Sequence, residues 1–285
     1  MLPLPCLRRR AALAGSRLAV RLMARLLPRR REPGEPYGAA ACRRAVSSER
    51  LWLSEPRRAT CLATVTGVRG DAFTVDRCLF APASKALRHP QPADQGVAVV
   101  GGDKRVLSAV FERDGDVWLR LRGFTPTVGD RLQCQLDRDV RDLASRAHTA
   151  LHLLLAALRK ERAPPLPKDP EVKGGGHARL SLAAPAAPEL LARALAQANA
   201  WAAADLGVER EHASRDVVAR VATPQAFDPP DPYPGGDVVP IVRIGEACAY
   251  PCDGTHVERT HKVGRIVLPQ VSPARGGMTV VLRVR

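Results

Sequence analysis

Beyond residue 47 the chain alternates apolar and polar positions over short runs, "TCLATVTGV", "AFTVDRCLF", "GVAVVGG", "RVLSAVFE" and "DVWLRLRGF". Arg69-Gly70-Asp71, Gly101-Gly102-Asp103 and Asp114-Gly115-Asp116 punctuate them. A two-residue side-chain period broken by glycine and aspartate predicts short strands joined by tight turns, and this spacing predicts a small β-barrel up to about residue 138. The period then lengthens. In "DRDVRDLASRAHTALHLLLAALRKE", Leu143, Ala147, Ala150 or Leu151, Leu154 and Leu158 recur on one side of a predicted helix. After the proline-rich break "APPLPKDP" at 163–170, "HARLSLAAP" reads as a strand and "APELLARALAQANAWAAADL" as a long helix. "DPPDPYPGGD" is a loop, "VVPIVRIGE" and "VGRIVLPQV" read as buried strands, and "MTVVLRV" as the last strand. The expected fold class is α+β. A basic extension over 1–46 precedes a barrel domain over 47–138, and a second domain of α+β or α/β type follows over 139–285.

Length and composition fit that division, since 285 residues with 45% hydrophobic content can supply two modest cores. No stretch of about eighteen apolar residues runs without a charge or proline, so no membrane-spanning helix is predicted. The formal net charge of +15 attracts polyanions such as nucleic acid, although an arginine-rich genome writes the same excess. Eleven arginines against Glu32 and Glu35 place nine of those fifteen charges in residues 1–46 and leave +6 for the remainder. In the extension, Arg17, Arg21 and Arg25 share a spacing of four beside Leu18, Leu22 and Leu26, as in an organelle transit peptide. Five prolines before residue 37 argue instead for a disordered extension or an early start. Seven cysteines, odd in number and without framework spacing, point to a reducing compartment. The expected location is cytoplasmic, or mitochondrial if residues 1–46 are a transit peptide.

The chemistry lies in two distant segments. His148 and His152 are four apart on the predicted helix, so both imidazoles point the same way. About a hundred residues later, Cys252 and His256 stand at C-x3-H spacing around Asp253-Gly254. Three imidazole nitrogens and one thiolate suit Zn²⁺ far better than Mg²⁺ or Ca²⁺. No glutamate follows His148, which removes the zinc-protease H-E-x-x-H reading. No second C-x2-C pairs with the cluster, which disfavours a purely structural zinc finger, while Cys248 offers an alternative sulfur.

"RAHTALHLL", "PCDGTHV" and "VGRIVL" together resemble the editing domain shared by alanyl-tRNA synthetase and the freestanding alanyl-tRNA editing (AlaX-type) proteins, the second additional domain of threonyl- and alanyl-tRNA synthetases. The likeness extends to "RLWLSEP" as the family's opening strand, "FAPASKALRHPQPADQG" as its F-Y-P-x-G-G-G-Q-P-x-D-x-G segment, and "VVPIVRIGE" as the strand entering the cysteine, covering roughly 49–285. The resemblance implies a translation-factor-like barrel packed beside a zinc-containing catalytic domain. It also implies a hydrolase acting in trans on the ester joining a wrong amino acid, most often serine and sometimes glycine, to tRNA(Ala). By motif match its single zinc ion is held by His148, His152, Cys252 and His256. Four ligands close a tetrahedral site, which leaves open whether one is loosely held or the ion only positions substrate.

Around that centre, Thr149 and Thr255 are hydroxyl candidates for orienting substrate, each also explicable as a hydroxyl satisfied by backbone. Asp253, where relatives carry glycine, places a carboxylate beside the metal that is a candidate base. Gln91 and Asp94 match the family's segment and are, by that resemblance, candidate substrate contacts. Lys173 with Gly174, Gly175 and Gly176 offers a cation and backbone N–H groups to the terminal adenosine phosphate, or is only a flexible loop. His177 and His261 read as surface residues. The family's glycine triad is replaced by "ASKALRHP", so Lys85, Arg88 or His89 would crowd the aminoacyl pocket and change which amino acid is read. The same change motivates a second reading, a zinc-containing tRNA-binding protein with weakened catalysis. A third is a structural zinc module for protein contacts.

Overall fold

The computed structural model describes residues 48–83, 90–164, 170–216 and 238–285. The arginine-rich extension, Lys85, Arg88, His89 and the loop at 228–237 lie outside them. The first described element is β1 (Glu49–Arg50), paired in parallel with β4 (Arg77–Cys78). Where "RLWLSEP" predicts a strand, the chain instead makes one helical turn, α1 (Leu51–Ser54). That turn sets the adjacent Leu51 and Trp52 into the barrel's core.

Six strands then close a barrel: β2 (Thr60–Arg69), β3 (Ala72–Val75), β5 (Gly96–Val100), β6 (Asp103–Arg113), β7 (Asp116–Leu121) and β8 (Arg131–Leu136). Their order around it is β2-β3-β7-β6-β5-β8, each pairing antiparallel. Cys61, Ala63 and Val65 of β2 fill the interior at every second position with Ala98, Leu132 and Cys134. Register shifts between Val65 and Gly67 and between Leu107 and Ala109 bend the long strands, as closure demands. Asp114 (φ 55°) and Gly115 (φ 82°) form the left-handed two-residue turn that matches strand twist between β6 and β7. At the seam, a Cβ on Gly96 would sit 2.3 Å from the Gln135 carbonyl and 2.7 Å from the Phe80 ring, so only glycine lets β5 meet β8.

Asp137 follows β8 and caps the long helix α2 (Arg138–Lys160), its side chain accepting from Val140 N at 3.2 Å. The helix is enclosed on nearly every side from Ala147 to Leu158, beyond the single apolar stripe its period predicts. It packs on α3 (Pro188–Ala203), whose Ala194, Ala198 and Ala202 repeat every four residues and admit a close approach. Two sheets complete the unit. One runs β14-β15-β10-β9, from Ile266–Ala274, Gly277–Val284, His177–Leu182 and Glu171–Lys173. The other runs β11-β12-β13, from Val208–Ser214, Val238–Ile244 and Cys248–Pro251. Every pairing in both is antiparallel, so the α/β alternative for 139–285 gives way, among the described residues, to a predominantly β arrangement with two long helices. Of the strands read as buried, β12 is central and encloses Val239, Ile241, Val242 and Ile244. β14 ends its sheet and encloses only Ile266, a place where Pro269 and Pro273 cost no ladder hydrogen bond.

Asp94 and Arg141 join the barrel to α2. Arg141 Nε donates to Asp94 Oδ1 at 2.8 Å, its Nη2 donates to Asp94 Oδ2 and to the Leu79 carbonyl (3.1 Å), and Asp94 Oδ2 also accepts from Ala81 N (2.5 Å). Both side chains are about 5% exposed.

Candidate metal centre

Helix α2 brings His148 and His152 one turn apart, both rings fully buried and their centroids 5.0 Å from each other. Strand β13 delivers the other half, and Cys252 N donates to the Pro240 carbonyl at 3.0 Å, which extends the pairing to β12 by one residue. The chain then turns at Gly254, whose carbonyl accepts from Arg210 Nη2 of β11, and returns His256 beneath α2. The four ligand atoms lie within 4.8 Å of one another, with Cys252 Sγ 3.5 Å from His148 Nε2 and 3.4 Å from His256 Nε2. Burial pushes the Cys252 thiol up to about 12. Three buried nitrogens and a buried sulfur at this spacing form a donor set that fits a borderline-soft divalent cation.

The Nδ1 atoms of His148 and His256 each lie against a side-chain oxygen. Gln91 Oε1 lies 3.0 Å from His148 Nδ1 and also accepts from Thr255 N (2.9 Å) and Thr255 Oγ1 (3.3 Å). An amide oxygen cannot donate, so His148 carries its proton on Nδ1 and leaves Nε2 to face the sulfur. Thr149 Oγ1 lies 3.1 Å from His256 Nδ1. Orientation of a metal-binding histidine by an outer hydrogen bond is the usual arrangement.

The remaining expected residues divide by position. Thr255 is buried beside Gln91 and, with His256, borders a cleft of about 570 Å³. That cleft is strongly basic, carrying Arg57, Arg138, Arg141, Arg146, Arg210 and Lys262 against Asp142 and Glu258. Asp94 commits both oxygens to the ion pair with Arg141 and to Ala81 N. Asp253 is outside the cleft lining, and burial, reinforced by Glu112, pushes its carboxyl up to about 6 against the opposing influence of Arg50 and Arg210. Lys173 pairs with Glu171 at 2.6 Å at the turn between β9 and β10, and neither it nor Gly175 lines the cleft. Cys248 stands outside the ligand group, its thiol directed at the His152 carbonyl 4.0 Å away. His177 opens β10, and His261 is an exposed partner of Asp205. Sequence reasoning misses Arg141 and Arg210, because an arginine among many carries no local mark of the acceptor it finds.

Gly254 has a steric duty. A Cβ there would lie 2.2 Å from His148 Cε1, 2.6 Å from His148 Nδ1 and 2.8 Å from Gln91 Oε1. Gly254→Ala is therefore expected to displace the His148 ring, lower metal content and cost about 1–3 kcal/mol in a denaturant melt. Gly174→Ala, with nothing within 4 Å of its Cβ, is the matched control and is expected to leave both unchanged.

No family model matches the chain. It resembles a segment of alanine–tRNA ligases. It is 27% identical over 234 residues to that of Archaeoglobus fulgidus, covering 81% of this chain and 25% of the ligase. It is 27% identical over 238 residues to that of Halorubrum lacusprofundi, with coverage of 81% and 25%. The ligase of Synechococcus sp. is 31% identical over 179 residues, 61% of this chain and 20% of its own length. The chain spans about a quarter of the length of the first two of these curated relatives.

Proposed function

We propose that this chain is a zinc-dependent hydrolase that removes a wrong amino acid, serine foremost and glycine second, from tRNA(Ala). The observation that carries the reading is the meeting of His148, His152, Cys252 and His256 in one buried group, of which His256 borders a basic cleft, in a chain similar to part of alanine–tRNA ligases. Such an activity has a physical rationale. A pocket for alanine cannot strongly reject a side chain that adds a hydroxyl or drops a methyl, and a second hydrolytic site restores accuracy. A bound Zn²⁺ supplies Lewis acidity to an ester or to water.

The chain's own residues do the rest. Gln91 and Thr149 hold two ligand rings in place. Thr255 borders the cleft beside the centre, and its hydroxyl, which donates to Gln91 Oε1 at 3.3 Å, keeps its lone pairs for a donor on the aminoacyl end. Arg57, Arg138, Arg146, Arg210 and Lys262, unlike the buried and ion-paired Arg141, attract the phosphates of the acceptor strand. Arg138, at the exposed start of α2, is expected to act as a phosphate contact. Arg138→Ala should weaken tRNA binding across sequences and make the slope of log affinity against log salt shallower by about 1, read by fluorescence anisotropy.

The direct test is release of amino acid from Ser-, Gly- and Ala-tRNA(Ala) by the metal-loaded protein. Faster release of serine than of alanine is the expected result. Tight tRNA binding with no release from any of the three, at full metal content, would favour the binding protein that "ASKALRHP" in place of the family's glycines suggests.

A further inference from the structure

The Thr149 hydroxyl is fully buried, on the helical turn between His148 and His152. Three polar groups surround it: the Ser145 carbonyl at 2.9 Å, Val257 N at 3.2 Å and His256 Nδ1 at 3.1 Å. A hydroxyl has one proton to give and two lone pairs to receive with. Val257 N–H takes one lone pair. The Ser145 carbonyl can only accept, so a hydroxyl proton pointed there leaves the second lone pair for a proton on His256 Nδ1. Every capacity of the group is then used once. The opposite assignment, with the hydroxyl donating to Nδ1, would put the ring's proton on Nε2, facing Cys252 Sγ 3.4 Å away and denying that nitrogen to a cation.

We propose that Thr149 is a positioning residue whose hydroxyl selects the Nδ1–H form of His256 and holds its Nε2 lone pair toward Cys252 and His148, instead of contacting substrate. The inference rests on the metal centre proposed above and goes beyond it, assigning to a helix threonine the part that Gln91 plays for His148. Two acceptors thus serve His148 and His256: Gln91 from ahead of β5, and Thr149 from within the ligand helix.

Thr149→Val keeps the shape and removes the acceptor, while Thr149→Ser keeps the hydroxyl and removes the methyl. Zinc affinity of the purified proteins by chelator competition is expected to fall about 10- to 100-fold in the valine variant and to stay close to wild type in the serine variant. Thermal melts of the metal-free proteins show that each is folded. Nitrogen-15 imidazole spectra of the metal-free wild type, which need no variant, are expected to show His256 protonated on Nδ1. Equal zinc affinity in Thr149→Val, equal losses in both variants, or an Nε2–H form in the wild type would each overturn the inference while leaving the metal centre standing. A wild-type protein that binds no zinc would fail the centre itself, and the inference with it.

Discussion

Replacing His148 with alanine is expected to empty the metal centre and to lower release of serine from Ser-tRNA(Ala) by about a thousandfold or more. The size follows from what a cation contributes to ester hydrolysis, several kcal/mol of charge stabilisation at about 1.4 kcal/mol per tenfold in rate. His148 is fully buried, its Nε2 is 3.5 Å from Cys252 Sγ, and its other nitrogen meets Gln91, so its loss removes one of the four grouped donors. Cys252→Ala should match it, because sulfur is the only soft donor in the group. Zinc content by atomic emission and deacylation rate are to be measured on the same preparations. Near-complete zinc retention with wild-type turnover in both variants would sink the proposed function.

Arg141→Met is expected to destabilise the protein by about 3–5 kcal/mol in urea denaturation, the cost of leaving a buried charge without its partner. Asp94 would keep only the hydrogen bond from Ala81 N, and the Leu79 carbonyl would lose its donor. Surface pairs such as Arg105 with Asp103 should change stability by less than about 1 kcal/mol when broken. Since a buried pair exchanged whole for apolar groups is often near neutral, Arg141→Met with Asp94→Leu should recover part of the loss. A single-variant loss no larger than the surface control would show that the pair is not what binds α2 to the barrel.

The buried His148, His152, Cys252 and His256 cluster was legible in the sequence because both halves are local patterns: a helical spacing of four and a short turn at glycine. The barrel was legible in most strands for the same reason, an alternation readable in five or six residues. What escaped detection was set by tertiary contact. β11 is the charged run "VEREHAS", too polar to announce itself as a strand, and it is fixed by pairing with the apolar β12. β8 follows the turn at Gly129 (φ 97°), but its run "RLQCQL" carries only Leu132, Cys134 and Leu136 as apolar positions, and its pairing with β2 and β5 closes the barrel. Gln91 and Asp94, three residues apart, read alike as substrate contacts. Folding sends one to a ligand ring 57 positions away and the other to an arginine 47 positions away, distances no local pattern encodes.

Gln91 belongs to the segment entering the barrel, yet its side-chain oxygen serves both His148 on the helix and Thr255 in the cysteine turn. Occupancy of the centre and docking of the barrel segment against the helix are therefore coupled, and such coupling is reciprocal. Chelation should raise amide exchange at Gln91 and its neighbours as well as around the ligands. Conversely, a nucleic acid that clamps the barrel against α2 should slow the escape of the ion.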